Sequence, residues 1–155
     1  MTAMTALTDL SETKGLNGRQ WLVLYVYRHW IKGLTTGDPR HLEFAWSEIA
    51  TASGPAPARR VLRALEALLG AFRDHARRRI SYHPPCCGLL AADEREMLCL
   101  LASLQRGRRE AAEASLRGMV LPTGQASVLN AADALAEALS AAGLDLEEGA
   151  GATLH

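Results

Sequence analysis

The sequence predicts an all-α protein, a compact single-domain bundle of five to six helices. Apolar residues recur every three or four positions in each apolar segment, which is the period of an α-helix. Leu and Ala dominate the composition while Ile, Val and Thr are sparse, and this balance favours helix over strand. Hydrophobic residues make up 48% of the 155 residues, so one core of ordinary size can form. We therefore expect more than half of the chain in helices.

The first helix is predicted to run from Gly18 to Leu34. Asn17 can cap its first turn and Gln20 can reach back to the backbone of Asn17, which is the capping-box pattern. The run WLVLYVY, residues 21–27, could alone form a buried strand, but the apolar pattern continues at helical spacing to Leu34. Few polar residues break this surface, so we expect the helix to lie at the centre of the bundle. Those residues are Arg28, His29 and Lys32.

Further helices follow from the same periodicity and from start and stop signals. Asp38 can cap the second helix, with Pro39 in its first turn, and Gly54 ends it. Gly143 suits the left-handed position that ends the last helix. The ranges predicted after the second helix are approximately 57–79, 91–107, 108–117 and 124–142.

The predicted domain organisation is a helical domain at 16–144 between two less ordered ends. Residues 1–15 are expected to be a flexible N-terminus, and residues 145–155 an acidic, disordered tail. The N-terminus shows no basic region followed by a long apolar stretch, so no secretory signal is expected. The longest apolar run, residues 21–27, is too short to span a bilayer. We expect a cytoplasmic protein with no membrane partner.

The charges balance overall but are unevenly placed. The chain has 17 basic and 17 acidic side chains, which argues against a protein that coats nucleic acid or anionic membrane with its whole surface. Residues 56–82 carry seven arginines against two acids, and residues 131–150 carry five acids and no base. These two regions could attract each other within one chain or between two chains, or simply be solvated helix faces.

The stretch RRRISYHPPCCGLLAADEREMLCLL, residues 77–101, holds all three cysteines. Four residues there are of types that bind zinc: His83, Cys86, Cys87 and Cys99. Adjacent cysteines point in different directions, however, and Cys99 lies about two turns into a helix. Free cysteine is commonly buried as a small hydrophobic residue. We therefore favour a rigid corner, stiffened by Pro84 and Pro85 and packed through Cys86 and Cys87, over a zinc site.

Cys99 lies away from the main apolar stripe of its helix. At about 100° per residue it falls near Ala102 and between Arg95 and Arg106. Two interpretations remain: a second covered face, or an exposed thiol that the arginines hold as thiolate. The covered face is favoured because small residues allow helices to approach closely. It predicts a protein interface, with a second copy or another protein, at Cys99, Ala102 and Ser103.

The segment around Gly54 has a partial likeness to a helix-turn-helix. Arg59, Arg60 and Arg63 would then face DNA. The apolar positions expected in the second helix fall on Arg60 and Arg63, while the apolar residues are Val61 and its neighbours. We therefore do not expect nucleic-acid binding, and keep it as an alternative.

Catalysis has little support in the sequence. His29, His41 and His75 have no partner that the sequence identifies, and a thiolate pair of His83 with Cys86 rests on proximity alone. We predict a non-enzymatic helical module, regulatory or accessory, that acts through protein–protein contacts. The alternatives are the zinc or thiol site and the DNA-binding regulator. A ligand pocket lined by tryptophan (Trp21, Trp30 or Trp46) also remains open.

Overall fold

The computed structural model describes residues 15–147 and contains six α-helices in that range. They are α1 (Gly18–Thr36), α2 (Pro39–Ser53), α3 (Pro55–His75), α4 (Ala92–Gln105), α5 (Arg109–Arg117) and α6 (Gln125–Ala141), with a 3₁₀ turn at Pro122–Gly124. More than two thirds of the described residues are helical, and they contain no β-strand beyond an isolated bridge between Ala76 and Val120. The all-α prediction is confirmed, including a helix at residues 21–27.

α1 packs chiefly on α2 and contacts α3 and α4 at few positions, so its predicted place at the centre of the bundle is not confirmed. The Asn17 side chain accepts a hydrogen bond from the Gln20 N–H at 2.9 Å, and the Gln20 side chain accepts one from the Asn17 N–H at 3.0 Å. This is the predicted capping box. Every residue from Gln20 to Gly33 is buried or half-buried. Arg28 and His29, expected to interrupt the apolar surface, are themselves buried.

α2 and α3 are separated by a single residue, Gly54. Its φ of 89° lies in the region that favours glycine, so the chain can reverse there without strain. α2 begins where predicted, with the Asp38 carboxylate accepting a hydrogen bond from the Arg40 N–H at 3.0 Å. α3 begins at Pro55, two positions before the predicted start.

The predicted end of α3 at residue 79 is wrong, because the helix ends at His75. Ala76 is extended, with φ −64° and ψ 136°, and forms the antiparallel bridge with Val120. Two hydrogen bonds hold this bridge, from the Arg77 N–H to the Met119 carbonyl at 3.0 Å and from the Leu121 N–H to the His75 carbonyl at 2.9 Å. The helix stops because its next residues pair with a distant segment, which local periodicity does not reveal.

The buried residues form one core cluster. α3 packs along α6, α1 packs along α2, and α4 contacts both α5 and α6. The fully buried members of the core cluster include Leu24, Ile49, Leu68, Leu100, Leu101 and Leu116. None of the helices within residues 15–147 combines the length and apolar character needed to cross a bilayer.

The packed structure continues past the predicted domain boundary at residue 144. Gly143 takes the left-handed conformation, φ 79°, and the Leu144 N–H donates to the Leu139 carbonyl at 2.8 Å, as the predicted cap requires. Leu146 is fully buried, and its N–H donates to the Gln105 side chain at 2.8 Å. Apart from Gly15 and residues 145–147, the predicted N-terminal segment and acidic tail lie outside the described residues.

Candidate functional site

A buried ion pair anchors the connecting segment, which we define as residues 76–91 between α3 and α4. Arg28 Nε lies 2.7 Å from Glu94 Oε2, and Arg28 Nη2 lies 2.8 Å from Glu94 Oε1. Both side chains have no exposed surface. This two-point geometry between a guanidinium and a carboxylate is the strongest form of ion pair available to side chains.

Both members of the pair also bind the backbone of the connecting segment. Arg28 donates to the carbonyl oxygen of Cys87 at 2.8 Å and to that of Leu89 at 2.6 Å. Glu94 Oε2 accepts a hydrogen bond from the His83 N–H at 3.2 Å. The buried charges are therefore satisfied by hydrogen bonds, as burial of a charge requires. The second half of the segment is held against α1 and α4.

Asp93 holds the first half of the connecting segment. Its carboxylate accepts hydrogen bonds from Arg78 Nη1 at 2.7 Å, Arg78 Nη2 at 2.9 Å and the Ser81 N–H at 2.7 Å. Burial would raise the pKa of Asp93, but the hydrogen bonds from Arg78 and Ser81 outweigh burial and hold the pKa below its ordinary value. Asp93 therefore stays ionised at neutral pH.

A polar cleft of about 650 Å³ opens between the connecting segment and α1. The lining of this polar cleft includes basic side chains, hydroxyl groups and two prolines. Among the described residues, no Asp or Glu side chain lines it. The lining residues are Arg28, Lys32, Thr35, Arg79, Ile80, Ser81, Tyr82, His83, Pro84 and Pro85. The guanidinium of Arg28 is already neutralised by Glu94, so Lys32 and Arg79 supply the net charge.

Two adjoining hollows of about 410 Å³ and 560 Å³ form a groove between α1, α3 and the connecting segment. The lining of this groove is mainly apolar; we call its apolar residues the floor and its charged residues, which are basic with one acid, the rim. The apolar residues are Tyr27, Ile31, Leu34, Leu69, Phe72, Ala76, Ile80 and Tyr82. The charged residues are Arg73, Arg78, Arg79 and Glu66.

The structure does not bring the four candidate zinc ligands together. They are His83, Cys86, Cys87 and Cys99. Within residues 15–147, no three His, Cys, Asp or Glu side chains are placed to hold one metal ion. Cys86 lies within electrostatic range of Tyr25 on α1, whereas Cys99 lies within range of Glu147. The two cysteines therefore have different surroundings.

The proline corner is an ordered turn, but its buried residue is not the one predicted. The Cys87 N–H donates to the Pro84 carbonyl at 3.1 Å, which closes the turn. Pro85 is buried, Cys87 is half-buried and Cys86 is exposed. The prediction that both cysteines are packed is wrong for Cys86, because the proline ring takes the inner position and leaves the thiol at the surface.

Cys99 is exposed, but its surroundings do not favour the thiolate. Partial burial, together with the carboxylates of Glu96 and Glu147, raises the pKa of the Cys99 thiol, and this outweighs the lowering by Arg95. These surroundings favour the neutral thiol of Cys99 over a thiolate held between arginines.

The predicted interface on α4 is largely occupied within the chain. Ala102 is buried and Ser103 is half-buried, because α4 contacts both α5 and α6. Only Cys99 among the three predicted residues is exposed. A charged residue in place of Ala102 would therefore disturb the fold itself.

Arg59, Arg60 and Arg63 are exposed on the first half of α3. Their surroundings depart from a helix-turn-helix, in which about three to four residues separate the helices. Here Gly54 alone separates α2 from α3, and α3 is 21 residues long. The exposed arginines form a basic surface, without the turn that would orient a recognition helix.

Two polar pairs, one buried and one partly buried, were not predicted from the sequence. One is Arg28 with Glu94, and the other is His29 with His41, whose Nδ1 atoms lie 3.0 Å apart. Arg28 and His29 directly follow the longest apolar run. Because a buried polar side chain needs a hydrogen-bond partner, their position could have indicated that each has one.

No family model, curated protein or solved structure matches this chain. The chain's own geometry therefore carries the functional argument. The groove and the polar cleft share Arg79, Ile80 and Tyr82 in their walls, so they adjoin each other on one face of the molecule.

Proposed function

We propose that the protein is a non-enzymatic accessory module that binds an acidic, amphipathic helix of a partner protein in the groove. The observation that supports this most is an apolar floor open to solvent inside a basic rim. A helix with one apolar face and acidic flanks complements both features, as in other helix-in-groove interactions.

The floor of the groove exposes large apolar side chains. Leu34 is 51% exposed and Tyr82 is 42% exposed, and each lines a different one of the two hollows. Together they extend the apolar surface along the whole groove. Covering such surface stabilises a complex by roughly 25 cal/mol per Å² before the costs of association are subtracted.

The rim of the groove gives the partner its expected charge. Arg78 is paired with Asp93, and Arg73 with Asp74 in an exposed ion pair at 3.3 Å. Arg79 forms no ion pair within the described part of the chain. Glu66 is the single acid that lines the groove. The excess of positive charge on the rim favours an acidic partner. Its main effects are to orient the partner and to speed its association, and its effect on affinity is smaller.

The apolar floor favours a protein over a nucleic acid as the occupant. Binding to a phosphate backbone uses cationic and polar contacts, and an apolar floor contributes nothing to them. The groove is also preformed, because the hydrogen bonds of Asp93 to Arg78 and Ser81 hold the connecting segment in place. A preformed groove lowers the entropic cost of binding a helix.

The test uses a labelled synthetic peptide with leucines on one helical face and glutamates on the other, measured by fluorescence anisotropy. We expect the wild-type protein to bind it and Leu34→Asp to weaken binding by about tenfold or more, because a charge then lies on the apolar floor. Leu121→Asp is the matched control, since Leu121 is 44% exposed and lines neither hollow.

Charge is tested separately on α3. Arg73→Glu should weaken binding of the acidic peptide, whereas Arg59→Glu, on the same helix but outside the groove, should have little effect. A peptide with lysines in place of glutamates should bind less tightly. Equal affinity for the two peptides, or a dimer in sedimentation that Leu34→Asp dissociates, would overturn the proposal. The dimer would assign the groove to a second copy of this chain.

A further inference from the structure

We propose that the polar cleft is a second binding site, which takes a phosphomonoester group. At about 650 Å³ the polar cleft has the volume of a small-molecule site, which is larger than a lone inorganic ion requires. The inference goes beyond the helix-binding groove, because it depends on Lys32 and His83, which line the polar cleft and neither hollow of the groove.

The polar cleft concentrates positive charge without a lining carboxylate. Lys32, Arg79 and His83 meet there from α1 and from the connecting segment. None of the three forms an ion pair within residues 15–147. Lys32 and Arg79 both line this concave space, which no carboxylate of the described residues lines, and they favour an anion because their charges add there.

The two acids that hold the connecting segment are already occupied by hydrogen bonds. Asp93 accepts hydrogen bonds from Arg78 and Ser81, and Glu94 accepts them from Arg28 and the His83 N–H. Both carboxylates are buried, so neither is free to neutralise the cations of the polar cleft. The positive charge at this site is therefore available to a ligand.

The wall that carries His83 is held in place before any ligand binds. The Ser81 N–H donates to Asp93 at 2.7 Å and the His83 N–H donates to Glu94 at 3.2 Å. Tyr82, between these two anchored positions, keeps its side chain partly in solvent. Since the backbone on both sides of Tyr82 is already ordered, binding costs little additional conformational entropy.

The remaining lining of the polar cleft suits an organic group attached to the anion. Ile80, Tyr82, Pro84 and Pro85 provide apolar and aromatic surface next to the cations. A ring attached to the anion could pack on Tyr82 or on the proline rings. The combination favours an aryl or other flat phosphomonoester over inorganic phosphate.

A phosphomonoester fits the cations better than a carboxylate does. It carries close to two negative charges at neutral pH and three acceptor oxygens, whereas a carboxylate carries one charge and two oxygens. Lys32 and Arg79 can each donate to a different phosphate oxygen, and His83 can supply a third donor. The ester can be a free small molecule or a phosphorylated side chain of a partner, since both present the same group.

The experiment titrates the full chain with phenyl phosphate, inorganic phosphate and benzoate, followed by calorimetry. We expect phenyl phosphate to bind most tightly of the three. Lys32→Gln should weaken its binding by about tenfold, which corresponds to the loss of one charged hydrogen bond. Arg77→Gln is the matched control, because Arg77 is an exposed arginine of the same segment that does not line the polar cleft. His83→Gln provides a second cleft variant if Lys32→Gln does not fold.

No binding of phenyl phosphate at concentrations of about 10 mM, or an equal loss with Arg77→Gln, would overturn the proposal. A phosphotyrosine peptide that binds more tightly than phenyl phosphate supports a modified partner as the source; weaker peptide binding supports a free small molecule. Leu34→Asp should leave phenyl phosphate binding unchanged, and Lys32→Gln should leave binding of the acidic helix unchanged. Failure of this site and failure of the groove are therefore distinguishable.

Discussion

At the scale of single residues, a partly buried pair of histidines links the stability of the fold to pH. His29 Nδ1 lies 3.0 Å from His41 Nδ1, so one ring donates to the other and both cannot carry a proton there. The pKa of His29 is lowered, mainly by burial of the ring and to a smaller extent by the neighbouring His41. His29 Nε2 is buried without a partner among the described residues. A second proton on His29 would therefore stay unsatisfied between Tyr25 and Phe44.

Acid should destabilise the protein through His29. Its unfolded pKa is about 6.5, and its folded pKa is lower, so only the unfolded chain takes up the proton as the pH first falls below that value. The stabilisation is present above about pH 6.5 and is lost as the pH falls below it. Urea unfolding at pH 7.5 and 5.5 should show this loss, and His29→Phe should reduce it.

His83→Gln is the control for this measurement and should keep the wild-type difference between the two pH values. Asp93 affects stability in a different pH range, below 3.8. Its pKa is lowered from 3.8, so its contribution is present above that value and is lost only as the pH falls through the lower folded pKa. An unchanged pH dependence in His29→Phe would contradict the role given to His29.

At the scale of helices, α1 and α2 approach each other closely at one glycine. A Cβ atom on Gly33 would lie 2.6 Å from Leu42 Cδ2 and 2.8 Å from Leu42 Cγ. Gly70 is also inside a helix, but a Cβ there would meet only the end of the Arg73 side chain, at 3.8 Å. Helix propensity alone favours alanine over glycine at both positions. Any difference between the two substitutions therefore comes from packing.

Gly70→Ala should stabilise the protein by about 0.5–1 kcal/mol, the usual preference for alanine over glycine inside a helix. Gly33→Ala makes the same local gain but forces Leu42 to move, and overpacking costs about 1–3 kcal/mol. We expect a net loss for Gly33→Ala, which Leu42→Ala in the same chain should partly reverse. The check is the free energy of unfolding in urea, and stabilisation by both single changes would contradict the close approach.

At the scale of the whole molecule, the Arg28–Glu94 pair joins elements that are far apart in sequence. The two residues are 66 positions apart, and their hydrogen bonds link α1, α4 and the connecting segment. The same contacts position the walls of the polar cleft. The stability of the bundle and the shape of the candidate binding face therefore depend on one buried pair.

Removal of one member should be costly. Arg28→Met leaves the Glu94 carboxylate buried without its partner, and such changes cost about 3–5 kcal/mol. Arg40→Met is the control, because Arg40 forms an exposed ion pair with Asp38 and should show no measurable change. Chemical denaturation compares the three proteins. A loss in Arg28→Met no larger than in Arg40→Met would show that the buried pair contributes little.

Part of the candidate site was visible in the sequence. The excess of arginine at residues 56–82 anticipated a basic face, and the two prolines anticipated an ordered corner. The groove itself was not predicted, because its walls come from α1, α3 and the connecting segment. For the same reason the sequence did not reveal that Ala102 is covered within the chain, since this depends on which helices pack against α4.

The sequence by itself determined the helices and most of their ends. The hydrogen bonds that cap the helices at Asn17, Asp38 and Gly143 join residues at most five positions apart, so local chemistry suffices to predict them. Only the tertiary structure decided that α3 ends at His75 and that Arg28 finds Glu94. These contacts join distant parts of the chain, and their partners are selected by how the helices pack, which helical periodicity does not encode.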